Sequence, residues 1–176
     1  MPVSELEPYY ERGVPAPLPP KERQPVHVVL DNLRSAFNVG SIFRTADAGV
    51  AAHLHLCGTT AYPPNLKLQK TALGSTAYVP WTHYAATADA IGALRDQGIP
   101  IVAVETVTDA FRHTEFDWPR PVAIVFGNEV TGILPETIAQ CDAVVRIPML
   151  GYKNTINVAT AFGIVFYEVL RRYAAV

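Results

Sequence analysis

Asn38-Val39-Gly40-Ser41-Ile42-Phe43-Arg44-Thr45-Ala46-Asp47 follows directly on an apolar run and opens a helical pattern, so it delivers polar groups to the top of a strand. Val26–Leu30 reads as that strand, and the turn Asp31–Phe37 carries it to Asn38, whose side chain suits a helix N-cap. In an open α/β sheet, ligands bind at this end of the strands. Arg44 lies six residues after Asn38. It is expected to be held near Asn38 by the first helical turns, with Gly40 allowing close backbone approach. Taken alone, a capped helix with a solvated arginine explains the stretch as well, and the later segments decide.

Along the rest of the chain, short apolar runs alternate with amphipathic stretches, which is the pattern of successive βα units and of a mainly parallel sheet flanked by helices. Strands are predicted at Val26–Leu30, Leu54–Cys57, Tyr78–Trp81, Ile101–Val104, Ala123–Phe126 and Ala143–Ile147, and helices over Val39–Ala48, Ala86–Gln97, Pro135–Gln140 and Thr155–Arg172. Seven of the 15 prolines fall in the first 25 residues, where they remove the backbone donors that helix or sheet needs. Residues 1–25 therefore read as an extended arm and 26–176 as one α/β domain, the size a chain of 176 residues supports. The last helix is apolar nearly all round, with Val158, Ala161, Phe162, Val165 and Val169 on one face and Ile164, Phe166, Tyr167 and Leu170 elsewhere. Such a helix must be buried on most sides, and a second copy of the chain is the simplest partner.

Hydrophobic residues make up 49% and charged residues 17% of the chain, which fits a sheet covered on both faces. A net charge of −2 does not announce a nucleic-acid binder, and any affinity for RNA would have to come from a local patch, for which Arg34, Arg44, Lys67, Lys70 and Lys153 are the candidates. Cys57 and Cys141 are far apart and show no CxxC spacing, which argues against zinc and against a disulfide scaffold. His53 and His55 form an HxH without a supporting cluster, so no metal is expected. Without a signal-like start or a membrane-length apolar run, a cytoplasmic protein is expected.

Two further strand ends carry polar turns. Val125-Phe126-Gly127-Asn128-Glu129-Val130-Thr131-Gly132-Ile133-Leu134-Pro135 ends a strand at Phe126, turns at Gly127 and places Glu129 beside it. Arg146-Ile147-Pro148-Met149-Leu150-Gly151-Tyr152-Lys153-Asn154-Thr155-Ile156-Asn157 ends a strand at Pro148, and Thr155 or Asn157 then offers a cap for the last helix. A parallel sheet brings all three segments to one edge.

With these three segments in this order, the chain resembles the SpoU/TrmH-type RNA ribose 2′-O-methyltransferases of the SPOUT class, over about Val26 to Arg172. The resemblance rests on Asn-x-Gly-x-x-x-Arg-Thr from Asn38, Gly-Asn-Glu-x-x-Gly from Gly127 and Ile-Pro-Met-x-Gly-x-x-x-Thr-Ile-Asn-Val from Ile147. It implies a C-terminal deep trefoil knot, a homodimer through the last helix, and S-adenosylmethionine held by Val104, Glu105, Thr106, Gly127, Asn128, Glu129, Ile147, Pro148, Met149, Thr155, Ile156 and Asn157. It also implies a catalytic set of Arg44, Asn38, Thr155, Asn157 and Glu129 acting on tRNA or rRNA. Thr155 stands where the family usually has Ser, which keeps the hydroxyl and adds a methyl.

Methyl transfer to a ribose hydroxyl needs in-line positioning and loss of the hydroxyl proton. A guanidinium is always protonated, so the expected role for Arg44 is to lower the hydroxyl's pKa and to stabilise developing negative charge, oriented by Asn38 or Thr155 and a substrate phosphate. A nicotinamide-dependent enzyme would need a GxGxxG turn, and none is present. A catalytically silent RNA-binding or dimerisation module of the same fold is the remaining alternative, opposed by Asn38, Arg44, Glu129 and Asn157.

Overall fold

The elements run β1 (Gln24–Asp31), α1 (Ala36–Ala48), β2 (Ala51–Cys57), α2 (Leu66–Ala72), β3 (Trp81–Tyr84), α3 (Thr87–Arg95), β4 (Ile101–Val104), β5 (Phe111–Arg112), β6 (Val122–Phe126), α4 (Pro135–Ile138), β7 (Ala143–Arg146) and α5 (Val158–Arg172), with a 3₁₀ turn at Ser75–Ala77. This is a computed structural model, and it describes residues 22–175. The expected arm lies mostly outside the described residues, and β1 begins at Gln24, two residues before the predicted strand. Pro25 interrupts the start of β1: the register against β2 shifts between Gln24 and His27, where proline offers no amide to the ladder.

All strand pairings are parallel, in the order β3-β2-β1-β6-β4-β7-β5. Alternate residues of the central strands feed two cores. Val26, Val28, Leu30, Leu54, Leu56, Ile124 and Phe126 pack under α1, α2 and α5, whereas Val29, Cys57, Ile101, Ala103 and Val125 pack under α3. Both faces of the sheet are thus covered, as the run of five buried residues in β6 requires. On the first face Phe162 meets Phe126 edge-on at 5.6 Å and Phe166 face-on at 5.1 Å, which seats α5 on the sheet.

Several predicted boundaries move. Tyr78–Trp81 is not a strand; Tyr78 closes the 3₁₀ turn, and β3 starts at Trp81, where pairing with Leu54 begins. The helix α2 and the two-residue β5 were not anticipated, because each is too short for its periodicity to show. The first helix begins at Ala36 with Ser35 as its cap, its hydroxyl accepting the Asn38 amide at 3.3 Å, so Asn38 is a helix residue and not the cap. The last helix begins at Val158, capped by Asn157 and not Thr155. Gly40 serves packing between helices: a Cβ there would overlap the Leu68 carbonyl and the Thr71 hydroxyl of α2.

On the α3 face, His27, His53 and His55 come together from two paired strands, with His27 Nδ1 3.1 Å from His55 Nε2 and the His53 and His55 rings 4.7 Å apart. Tyr84 packs against His55 at 5.6 Å. Burial, with the charges of His53 and His27 added, pushes His55 down to about 3, and burial also holds His27 and His53 below the usual histidine range. Among the described residues, no group of three or more His, Cys, Asp or Glu side chains is arranged to hold a metal ion. No described helix is long and apolar enough to cross a membrane.

A group whose folded pKa is lowered binds fewer protons folded than unfolded, so stability falls as the pH drops below the unfolded histidine value of about 6.5. Chemical denaturation at pH 7 and pH 5 is expected to show a loss of about 2 kcal/mol from His55 alone, about 1.5 pH units at 1.36 kcal/mol each. His55→Leu should flatten that slope; an unchanged slope would remove the histidines as its source.

Candidate active site

The carboxyl ends of β1, β4, β6 and β7 surround one groove of about 1050 Å³. Its walls come from Arg34, Ser35 and Asn38 at the start of α1, Val104–Val107 after β4, the 126–133 turn after β6, Ile147 and Met149 after β7, and Thr155–Val158 at the start of α5. Three segments far apart in sequence therefore share one cavity, as strand ends of a parallel sheet should.

A continuous polar chain fixes them. The Glu129 carboxylate accepts the Arg34 amide at 2.7 Å, the Ser35 amide at 3.1 Å and the Asn38 side-chain amide at 2.7 Å. Asn38 Oδ1 in turn accepts from Asn157 Nδ2 at 3.0 Å. Asn157 Oδ1 accepts the Ala159 and Thr160 amides at 2.9 and 3.3 Å, which caps α5. Burial would raise the Glu129 pKa, but the hydrogen bonds from Arg34, Asn38 and Ser35 outweigh it and hold the carboxyl below its usual range. The anion also sits at the positive end of α1.

The turn after β6 is braced from within. Asn128 Oδ1 accepts the Val130 and Thr131 amides, and its Nδ2 donates to the Asn32 carbonyl at 2.7 Å. Glu105 Oε2 accepts the Ile133 amide at 2.8 Å, and Oε1 accepts that of Thr106 at 2.7 Å. Gly132 has φ +67°, and a Cβ on Gly127 would lie 2.5 Å from the backbone of Gly132 and Ile133. Both glycines are thus required by the turn itself, before any ligand is considered.

Of the residues singled out by sequence, Asn38, Val104, Glu105, Thr106, Gly127, Asn128, Glu129, Ile147, Met149, Thr155, Ile156 and Asn157 line the groove, while Pro148 is not among its lining residues. Arg44 is not beside Asn38. Six helical residues correspond to about 9 Å of rise and a turn of about 240°, which puts the two on different faces of α1. Arg44 instead lines a second hollow of about 590 Å³ with Ser41, Thr45, Ala48, Lys70, Thr71, Leu73 and Tyr167. Sequence reading missed Ile133 and Ala161 in the groove, whose apolar side chains look like ordinary core. Arg34 was a basic candidate without an assigned place, and it lines the groove.

The profile of the SpoU rRNA Methylase family matches residues 25–167. The chain is 32% identical over 154 residues to the tRNA (guanosine(18)-2′-O)-methyltransferase of Escherichia coli K12, covering 85% of this chain and 65% of that protein, so it spans just under two thirds of that relative's length. An AdoMet-bound rRNA methyltransferase from Sinorhizobium meliloti superposes with a TM-score of 0.78 at 33% identity over 86% of this chain and 57% of that one. A structure described by the 2-OH methylation of C/U34 on tRNA superposes with a TM-score of 0.78 at 26% identity, over 86% of this chain and 97% of its own.

Glu129→Ala removes the acceptor shared by Asn38 and by the Arg34 and Ser35 amides just before α1, and is expected to cost about 1 kcal/mol in denaturant unfolding. Glu129→Gln should recover part of that loss at pH 7. An unchanged unfolding midpoint in Glu129→Ala would show that the carboxylate does not hold the start of α1.

Proposed function

The chain belongs to the SpoU rRNA methylase family, and we propose that it is an S-adenosylmethionine-dependent RNA methyltransferase acting on a ribose 2′-hydroxyl of tRNA or rRNA, with a tRNA guanosine as the preferred target. The observation that carries this reading is the joining of the three motif loops around one groove by the Glu129–Asn38–Asn157 chain. The proposal includes the family's C-terminal trefoil knot, in keeping with an order that inserts β6 between β1 and β4 and β7 between β4 and β5. The match over 97% of the C/U34 neighbour favours a pyrimidine target as the second reading.

The groove's chemistry fits the cofactor. Ile133, Ile147, Ile156 and Ala161 give apolar walls for a purine, and the backbone carbonyls of Val104–Thr106 and of the 127–132 turn give acceptors for its amino edge and for ribose hydroxyls. Glu105, Gly127, Asn128, Met149, Thr155 and Asn157 complete the cradle. When bound, the cofactor supplies an electrophilic methyl group.

With the cofactor bound, the side chains would have to hold the ribose hydroxyl in line with the methyl group and ease passage of its proton to water as the methyl leaves sulfur for oxygen. Asn38, held between Glu129 and Asn157, keeps its amide fixed at the groove mouth. Arg44 lies outside the groove of its own chain, in the hollow that Tyr167 of α5 also lines. A homodimer through α5, whose Ile164 and Tyr167 remain 39% and 41% exposed, would carry Arg44 to the groove of the second copy. There the guanidinium would stabilise the charge developing on the oxygen.

The basic test is transfer of labelled methyl to tRNA and rRNA from a strain lacking the gene, with the modified nucleoside separated as the guanosine, cytidine or uridine derivative. No transfer to either RNA would favour the silent module. Arg44→Ala should lower transfer at least about 100-fold with cofactor affinity nearly unchanged, and Arg44→Lys should not rescue it. Light scattering should give about twice the chain mass of 19.2 kDa, and Ile164→Asp should lower it. Mixing Arg44→Ala with Met149→Trp, which crowds the groove from outside its braced turn, should restore activity, because one of the mixed dimer's two sites then has both an intact groove and an Arg44. No restoration would place Arg44 in the site of its own chain.

A further inference from the structure

We propose that Tyr62 is a stacking platform for an unpaired base of the RNA substrate, one next to the nucleotide whose ribose enters the groove. This inference rests on the RNA methylation reading above.

Tyr62 is 46% exposed, although its ring is backed by His83 at 4.2 Å and by Trp81 at 6.3 Å, both from the edge strand β3. His83 Nε2 lies 3.0 Å from the Gly58 carbonyl, which can only accept, so that nitrogen carries a proton and ties the ring to the loop. Pro63 and Pro64 follow Tyr62 and fix the backbone beyond it. Tyr62 is therefore an aromatic ring stiffened from behind and open to water. Its exposed apolar surface contributes nothing to the cores, and a rigid ring with two rotatable side-chain bonds loses little entropy when something stacks on it.

The loop that carries Tyr62 is joined to the groove by hydrogen bonds. Thr60 Oγ1 donates to the Leu30 carbonyl at 3.0 Å and accepts the Leu33 amide at 2.9 Å, and the Thr59 amide donates to Asn32 Oδ1 at 3.1 Å. Asn32 is also the residue whose carbonyl receives Asn128 of the groove. The turn from Asn32 to Ser35 is thus anchored on one side by the Tyr62 loop and on the other by Asn128 and Glu129. Platform and groove are thus tied to the same carboxyl end of the sheet.

The chemistry selects the occupant. Bases that protein side chains read in RNA are mostly unpaired, and they stack on tyrosine, tryptophan or histidine faces. A ribose reached by an enzyme groove needs its neighbours held away from the helical stack, which a platform beside the groove does. Cations for the connecting phosphates are at hand in Arg34, which lines the groove, and Lys67, exposed in the first turn of α2. A chain with a net charge of −2 has little long-range attraction for RNA, so stacking has to supply a larger share of the binding.

The test measures binding of total tRNA to the full chain by filter retention and by quenching of tryptophan fluorescence, in which Trp81 reports on the platform and the buried Trp118 provides a steady background. Tyr62→Ala is expected to weaken tRNA binding about 10- to 100-fold, as loss of one stacked base does. Tyr62→Leu, which keeps apolar bulk and protects folding, should be weakened similarly. Tyr62→Phe should stay within about twofold of wild type, since the face and not the hydroxyl is used. Affinity for S-adenosylhomocysteine should be the same in all four proteins.

Unchanged tRNA binding in Tyr62→Ala and Tyr62→Leu, with wild type binding well, overturns the platform and leaves the methylation reading standing. So does a fall in oligomeric mass in Tyr62→Ala without a change in RNA affinity, which would make this surface a contact between copies. Failure of the wild type to bind or methylate any RNA overturns both readings together.

Discussion

The Glu129 carboxylate is the fixed point on which the groove depends. It is an anion at the N-terminal end of α1, where free amides and the helix dipole favour negative charge. It spends its oxygens on Arg34, Ser35 and Asn38. That choice sets the direction of everything beyond it: Asn38 has to turn its amide nitrogen toward Glu129, which leaves its oxygen for Asn157. Asn157 then has to donate with its nitrogen, and its oxygen is free to cap α5. One charge thereby orients two amides and ties two helix starts and one turn into a single rim. Neither asparagine can be replaced by aspartate without setting one acceptor against another somewhere along the row.

Much of this was legible in the chain. The parallel sheet followed from the alternation of apolar runs and amphipathic stretches, and the three polar turns landed at one edge because strand ends of a parallel sheet share a side. What could not be read was set by short-range geometry. The cap of α1 was assigned to Asn38, although Ser35 lies three residues earlier and is an equally good cap by residue type. Arg44 was expected to be held near Asn38 by the first helical turns, but six residues make about one and two-thirds turns, which puts the two on different faces of α1. The helix α2 and strand β5 were invisible because seven and two residues are too few to establish a period. Gly40 was read as allowing close backbone approach, and the backbone it admits is that of α2.

The last helix shows how far a pattern can be pressed. Its apolar excess correctly implied burial, and Phe162, Phe166, Val165 and Val169 are fully buried within the chain. Phe166, which sequence could not distinguish from an interface residue, belongs to the interior and packs beside Phe162. Only Ile164 and Tyr167 keep substantial exposure among its large apolar side chains. At its far end Arg171 and Arg172 do more than face the helix dipole: both reach the Glu168 carboxylate, at 2.7 and 2.8 Å, and the hydrogen bond from Arg171, followed by that from Arg172, holds it down at about 2 despite the opposing effect of burial.

The sheet's two outer strands are both brief, four residues in β3 and two in β5. An unpaired strand edge is a template on which another chain can add itself, and the hazard grows with its length. Here the exposed ladder is cut to fragments: at one side Trp81–Tyr84 offers four residues, and at the other Phe111–Arg112 offers a single step. An all-parallel architecture, slow to fold because its pairings are non-local, thus presents little edge for fibril-like addition once it has formed. Concentrated solutions of the folded chain should be guarded against sheet-to-sheet polymerisation by strand length alone.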